Sequence, residues 1–207
     1  MKKLFAVLAL LAVSSIPALA QERGGETPLF EVNAGYTYMR WEVPPVLQPG
    51  PNYYNYNGFN AGAAYNITNW LAAALDTSGV YNSQPNTGSG PFSTDIYSYL
   101  AGPRVYPLGH HRLSPYVHAL FGVATFHFHA PAFGESGAFS QSSTNFAFDF
   151  GGGVDWSLGR HFAWRVGQVD YERTQALHTL AVENSVPANN QNNFKFSTGL
   201  VIRFGSK

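Results

Sequence analysis

The chain has no cysteine among its 207 residues, which excludes disulfide staples and thiolate metal sites. Charged residues make up only 12% of it, against roughly a quarter in ordinary soluble domains. Neither sign is in excess, since Lys+Arg and Asp+Glu number 12 each. That balance gives no electrostatic footprint for nucleic acid. Beyond the first twenty residues, no apolar run approaches the ~18 residues that a membrane-spanning helix needs. What the chain does have is aromatic residues, 15% of the total, and 21 Gly. So many aromatics beside so few charges call for surroundings other than water.

The N-terminus reads as a targeting segment. Lys2 and Lys3 form a basic region, residues 4–13 an apolar core, and Ala18-Leu19-Ala20 a small-residue cleavage site before Gln21. Residues 1–20 are therefore expected to be a signal peptide, and residues 21–207 a single domain. No Cys follows the cleavage site, so there is no lipoprotein signal. Removing the segment leaves ten Lys+Arg against twelve Asp+Glu.

The rest is a string of short alternating segments, seen best in residues 146–156. Phe146, Phe148, Phe150, Val154 and Trp156 share one parity; Ala147, Asp149, Gly151, Gly153 and Asp155 share the other. A strand sends these two sets to opposite faces. One face suits lipid and the other holds carboxylates and small residues. Eight such segments are expected, at 30–41, 56–67, 70–80, 93–106, 113–127, 146–156, 162–173 and 193–205. The connections between them alternate long and short. The long ones are 42–55, 81–92, 128–144 and 174–192; the short ones are 68–69, 107–112 and 157–161. This asymmetry is the one that outer-membrane barrels show between extracellular loops and periplasmic turns. The fold expected is all-β: an eight-stranded antiparallel up-and-down transmembrane β-barrel with a polar lumen filled by side chains.

Energetics choose the face. An Arg pointing at lipid in mid-membrane costs about 2–4 kcal/mol, and inverted parity would turn Arg104, Arg203, Asp76 and Asp149 outward together. The expected lumen set is therefore Glu31, Asp76, Arg104, His118, Asp149, Asp155, Arg165, Asp170, Glu172, Lys195 and Arg203. Eight strands enclose a space that side chains just fill, so these charges read as a structural plug of mutual partners. In the seventh segment, Arg165 and Gly167 have the parity opposite to Gln168, Asp170 and Glu172. A β-bulge near Gly167 would return all the polar side chains to the lumen. Aromatic girdles at the two bilayer interfaces are expected from Tyr38, Trp41, Tyr54, Tyr56 and Tyr81 beside long loops, and from Tyr65, Trp70, Tyr106, Tyr116, Trp156 and Trp164 beside short turns.

These residues carry a resemblance. Leu100-Ala101-Gly102-Pro103-Arg104, residues 114–122 (SPYVHALFG), Gly151-Gly152-Gly153-Val154-Asp155, Gln168-Val169-Asp170-Tyr171 and residues 196–204 (FSTGLVIRF) follow one another in order. In that order and spacing the chain resembles the OmpA/OmpX-like family of small outer-membrane β-barrel proteins, over nearly all its mature length. The resemblance implies a bacterial outer-membrane location with both termini periplasmic. It also implies the lipid bilayer and the outer-membrane assembly machinery as partners. Phe204 is followed by Gly205-Ser206-Lys207, which displaces the terminal aromatic that members often carry. No peptidoglycan-binding domain is expected after the barrel.

No enzyme, cofactor or metal is expected. Gly151-Gly152-Gly153 lies inside a strand with no helix after it, so it is no phosphate loop. His127-x-His129 has metal-binding spacing but no evident third ligand. His110-His111 reads as solvated turn sequence. The functional expectation is a structural or surface-interaction role, in envelope integrity or adhesion through four extracellular loops, with the lumen closed to solutes. The Asn/Tyr-rich residues 52–57 are the candidate contact surface for a ligand. The alternatives are a narrow ion-conducting pore or a lipid-modifying enzyme. The latter needs a Ser/His/acid set at one bilayer interface, and no His-x-Ser arrangement stands at an outward strand end.

Overall fold

The computed structural model describes residues 27–42, 52–87, 90–130, 139–174 and 190–206. The expected signal peptide, residues 1–20, lies outside them, as do loop residues 43–51, 131–138 and 175–189. Eight strands follow in order: β1 Phe30–Glu42, β2 Tyr53–Asn66, β3 Leu71–Thr87, β4 Gly90–Val105, β5 Leu113–Ala130, β6 Phe139–Ser157, β7 Phe162–Thr174 and β8 Gln191–Phe204. Each pairs antiparallel with its sequence neighbours, and β1 pairs with β8 to close the barrel. Closure leaves no sheet edge, the condition for a β-structure to sit in lipid.

The closing seam is tight. Gly35 and Gly199 lie directly opposite each other. A Cβ on Gly35 would stand 2.0 Å from the Thr198 carbonyl oxygen. Only glycine allows the two backbones to approach this closely.

Parity decides what each strand buries. Phe30, Val32, Leu75, Phe121, Phe150 and Leu200 are exposed on the outer wall, whereas Glu31, Asn33, Asp76, Leu120, Asp149 and Val201 are buried inside. An outer surface this apolar is suited to hydrocarbon.

Two expectations about length need correction. Residues 81–92 do not form a long loop, because β3 runs to Thr87 and β4 starts at Gly90, making one extended hairpin. Residues 128–130 and 139–144 belong to β5 and β6, which are 18 and 19 residues long. A barrel strand needs only about 9–11 residues to cross a bilayer, and these strands exceed that length at the long-loop end. β2 likewise starts at Tyr53, so most of the Asn/Tyr-rich segment is strand.

The parity break in the seventh strand is a bulge. Across β6, Val154 pairs with Gly167 and Asp155 with Arg165, which leaves Val166 with no opposite residue. Across β8, Arg165 pairs with Gly199 and Gln168 with Ser197, so two residues face the single Thr198. Thr198 Oγ1 donates to the Arg165 carbonyl at 2.8 Å and accepts from Trp164 Nε1 at 3.2 Å, bracing the extra residue. Arg165, Gln168, Asp170 and Glu172 are consequently all buried inside.

Candidate functional site in the barrel lumen

The inward polar residues form three linked groups. At the short-turn end, Arg203 Nε donates to Glu31 Oε1 at 2.8 Å and Tyr106 OH donates to Glu31 Oε2 at 2.6 Å. His110 Nε2 lies 3.6 Å from the same carboxylate. Next, Arg165 donates through Nε and Nη2 to both oxygens of Asp155, at 2.9 and 3.1 Å. Planar guanidinium and carboxylate match in this two-bond geometry. Arg165 Nη1 and Tyr116 OH both donate to Gln168 Oε1, at 2.9 and 2.6 Å. Gln168 Nε2 passes the chain on to Asp170 Oδ2 at 2.8 Å.

The third group lies deeper along the axis. Lys195 Nζ stands 2.8 Å from Asp149 Oδ2 and 2.7 Å from Glu172 Oε2. Ser98 Oγ donates to Glu172 Oε1 at 2.9 Å. His118 Nε2 lies 3.3 Å from Asp149 Oδ1 and 3.1 Å from Asp170 Oδ1. Its contact with Asp170 crosses a strand. His118 pairs with Gly151, and Gly151 pairs with Asp170. With no side chain on the intervening residue, the two flanking ones meet over it. A Cβ at Gly151 would sit 2.1 Å from Asp170 Oδ1.

All eleven residues of the expected charge set are buried in the lumen. Nine of them lie within ion-pair distance of another ionisable side chain; Asp76 and Arg104 are in no such pair among the described residues. Arg104 lies with its guanidinium 4.6 Å from the Tyr116 ring centre, and Arg165 lies 4.8 Å from the same ring. None of the three Arg104 guanidinium nitrogens has a hydrogen-bond partner among the described residues, and neither does Asp76 Oδ2.

Five of the expected girdle aromatics are not on the outer wall. Trp41, Tyr56, Tyr106 and Tyr116 are buried inside, and Tyr54, opposite Trp41, packs half-buried against the same inner cluster. Closeness to a strand end had placed them, but parity governs the face. Trp41 shares its parity with Thr37 and Met39, Tyr56 with Asn60, Tyr106 with Arg104, and Tyr116 with His118. Of the others, Tyr65, Trp70, Tyr81, Trp156 and Trp164 are exposed outward, and Tyr38 is half-buried. His110 also needs correction. It is buried rather than solvated, with its ring 4.2 Å from that of Tyr106. The turn that carries it passes through Gly109, whose φ of 71° favours glycine.

On the outer wall, His127 and His129 are exposed, and the Tyr97 ring lies edge-on 5.7 Å from that of His127. The register sets Asp95 and Ser142 on either side of His127. Ser142 was expected in a loop; it stands instead on the outer face of β6.

A family model described as the outer membrane protein beta-barrel domain matches residues 6–204. The chain belongs to that family. It is an outer-membrane β-barrel protein, and the bilayer is its surroundings. Solved structures agree on the fold. The barrel is similar to Ail, the attachment invasion locus protein of Yersinia pestis, with a TM-score of 0.57 and 17% identity over 88% of this chain and 100% of that one. It is also similar to Neisserial surface protein A, with a TM-score of 0.55 and 14% identity over 84% and 97%. OprG of Pseudomonas aeruginosa gives 0.51 and 13% over 88% and 99%. No match is found among curated protein sequences.

Proposed function

We propose that this barrel is a surface-interaction and envelope-structuring protein whose lumen is closed to solutes. The observation that carries the reading is the packing of the lumen: from Glu31 at one end to Phe128 at the other, the inward side chains are buried against one another. Eight strands leave only enough room for such a filling. The strands that overrun the bilayer, β3 to β6, support the other half of the reading, because their far ends stand clear of the lipid. In this arrangement both termini are periplasmic and residues 1–20 are removed on export. The outward aromatics at the two ends sit at the bilayer interfaces, and the assembly machinery of the outer membrane inserts the chain. The lumen charges act as a structural plug.

The test is conductance. The refolded chain in a planar bilayer should give no steady current of nutrient-pore size, and an open current overturns closure. For the surface role, one similar barrel offers a probe: Ail has been solved in complex with the heparin analogue sucrose octasulfate. Cells displaying this chain should retain a sulfated-glycan or matrix ligand that cells displaying a variant without residues 175–190 do not. Equal retention across a ligand panel removes the surface role.

One observation favours a second reading, action on lipid. Asp95, His127 and Ser142 form a row across β4, β5 and β6 on the outer face. Acid, imidazole and hydroxyl side by side are the residue types of acyl transfer. If the row is active, His127→Ala changes the membrane lipid profile; unchanged lipids end this reading.

A further inference from the structure

Buried charge in the lumen does not balance. Six acids are buried among the described residues: Glu31, Asp76, Asp149, Asp155, Asp170 and Glu172. Against them stand four strong bases, Arg104, Arg165, Lys195 and Arg203. Glu31 with Arg203, and Asp155 with Arg165, close as pairs. What remains is four carboxylates against Lys195 and Arg104, a surplus of two negative charges around His118. An uncompensated buried charge is too costly to persist.

The surplus has a focus. His118, Asp149 and Asp170 each bring one ligand atom to within 4.8 Å of the other two. The imidazole nitrogen is 3.3 and 3.1 Å from the two oxygens. The ligand atoms of a tetrahedral zinc ion, each about 2.0–2.1 Å from the metal, stand about 3.3 Å apart. One N–H cannot serve both carboxylates. Nε2 makes its hydrogen bond to Asp149, while Asp170 Oδ1, buried and close by, has none. Asp76, within electrostatic range of Asp149, Asp170 and Lys195, likewise keeps a buried oxygen with no partner. Gly151 holds the space open, since a side chain there would displace Asp170.

We propose that His118, Asp149 and Asp170 form a divalent transition-metal site inside the barrel, of the zinc class. One imidazole nitrogen and two carboxylate oxygens suit such an ion. A double positive charge beside a neutral imidazole matches the surplus. His118 Nδ1 has no partner among the described residues. Sites whose ligand histidine is anchored through its second nitrogen bind more tightly, so this one is a modest binder. The proposal does not depend on the surface role or on lumen closure.

The test uses the untagged full chain, refolded in detergent with and without Zn²⁺ and then desalted. Gel mobility with and without boiling checks folding. Elemental analysis should find one zinc per folded chain. His118→Ala and Asp170→Asn should weaken retention at least about tenfold, while a His127→Ala/His129→Ala variant keeps it. No zinc on the folded wild-type chain, or equal retention in Asp170→Asn, overturns the site, and protons then carry the surplus. If the lumen variants do not fold, Co²⁺ bound to the wild-type chain decides. Paramagnetic broadening centred on His118 supports the site, whereas broadening centred on the outward histidines or no broadening at all overturns it.

Discussion

The two ends of the lumen are filled by different chemistry. Toward the short turns the filling is ionic, with Glu31–Arg203 and Asp155–Arg165 as closed pairs and the His118 cluster above them. Toward the long loops, β1–β5 contribute Met39, Trp41, Tyr56, Val80, Ile96, Phe126 and Phe128, all buried. The rings pack on one another: Trp41 lies 5.9 Å from Tyr56 and 6.5 Å from Phe126, which stacks on Phe128 at 6.3 Å. Facing this apolar wall, β6–β8 supply Ser143, Asn145, Thr174, Gln191 and Asn193. The difference is one of direction. Ion pairs and hydrogen bonds fix which strand positions lie opposite, so the ionic end specifies register. Apolar packing tolerates changes of shape, so the other end contributes buried area.

The hardest way to break this comparison is to orphan one charge. Arg165→Met leaves Asp155 fully buried without its two hydrogen bonds, and it also takes a donor from Gln168. Removing one member of a buried pair costs about 3–5 kcal/mol. Urea refolding, followed by gel mobility, should show a loss of that size. Adding Asp155→Leu should recover most of it, because replacing both partners removes the orphan. A single-variant loss under about 1 kcal/mol would mean that water reaches Asp155 and screens it, and the ionic end would then be a hydrated channel rather than a plug.

How much of this was legible in sequence follows from what strand alternation encodes. Alternation assigns a face, so the charged lumen set and the outer wall could be read residue by residue. It even exposed the bulge, because Val166-Gly167 interrupts an otherwise unbroken parity. Alternation does not encode where a strand stops. The polar Ser140, Gln141 and Ser142 read as loop, although antiparallel pairing carries β6 through them. Nor does position along a strand encode face, and so Trp41, Tyr54, Tyr56, Tyr106 and Tyr116 lie inside despite standing at strand ends. Contacts between strands two apart are further still from the sequence. His118 meets Asp170 only through the register of β5, β6 and β7 and the bare Gly151 between them. Gly151-Gly152-Gly153 was a visible motif, but its use required knowing what lies on either side.

That glycine gives the middle-sized test. In Gly151→Ala the new Cβ would lie 2.1 Å from Asp170 Oδ1 and 2.5 Å from the Val169 carbonyl oxygen. The carboxylate can swing away, but the backbone oxygen cannot. Overpacking of this kind costs about 1–3 kcal/mol, and the urea midpoint should fall accordingly. A variant that folds should also lose the His118–Asp170 contact, seen as a changed imidazole signal by NMR. An unchanged midpoint together with an unchanged His118 signal would mean that the β6–β7 spacing is loose enough to take a methyl group.

The smallest effect belongs to the apolar end. Ile96 is fully buried on β4 near the long-loop mouth, one residue from the outward Asp95. Ile96→Val removes one methylene and no polar partner. Such a truncation costs about 0.5–1.5 kcal/mol, spread over neighbours able to relax. The comparison therefore predicts a shallow gradient there: Ile96→Val should shift the urea midpoint by less than half as much as Arg165→Met. If Ile96→Val instead proved as damaging as the orphaned charge, the apolar wall would be packed as rigidly as the ionic pairs, and register would be specified at both ends of the barrel.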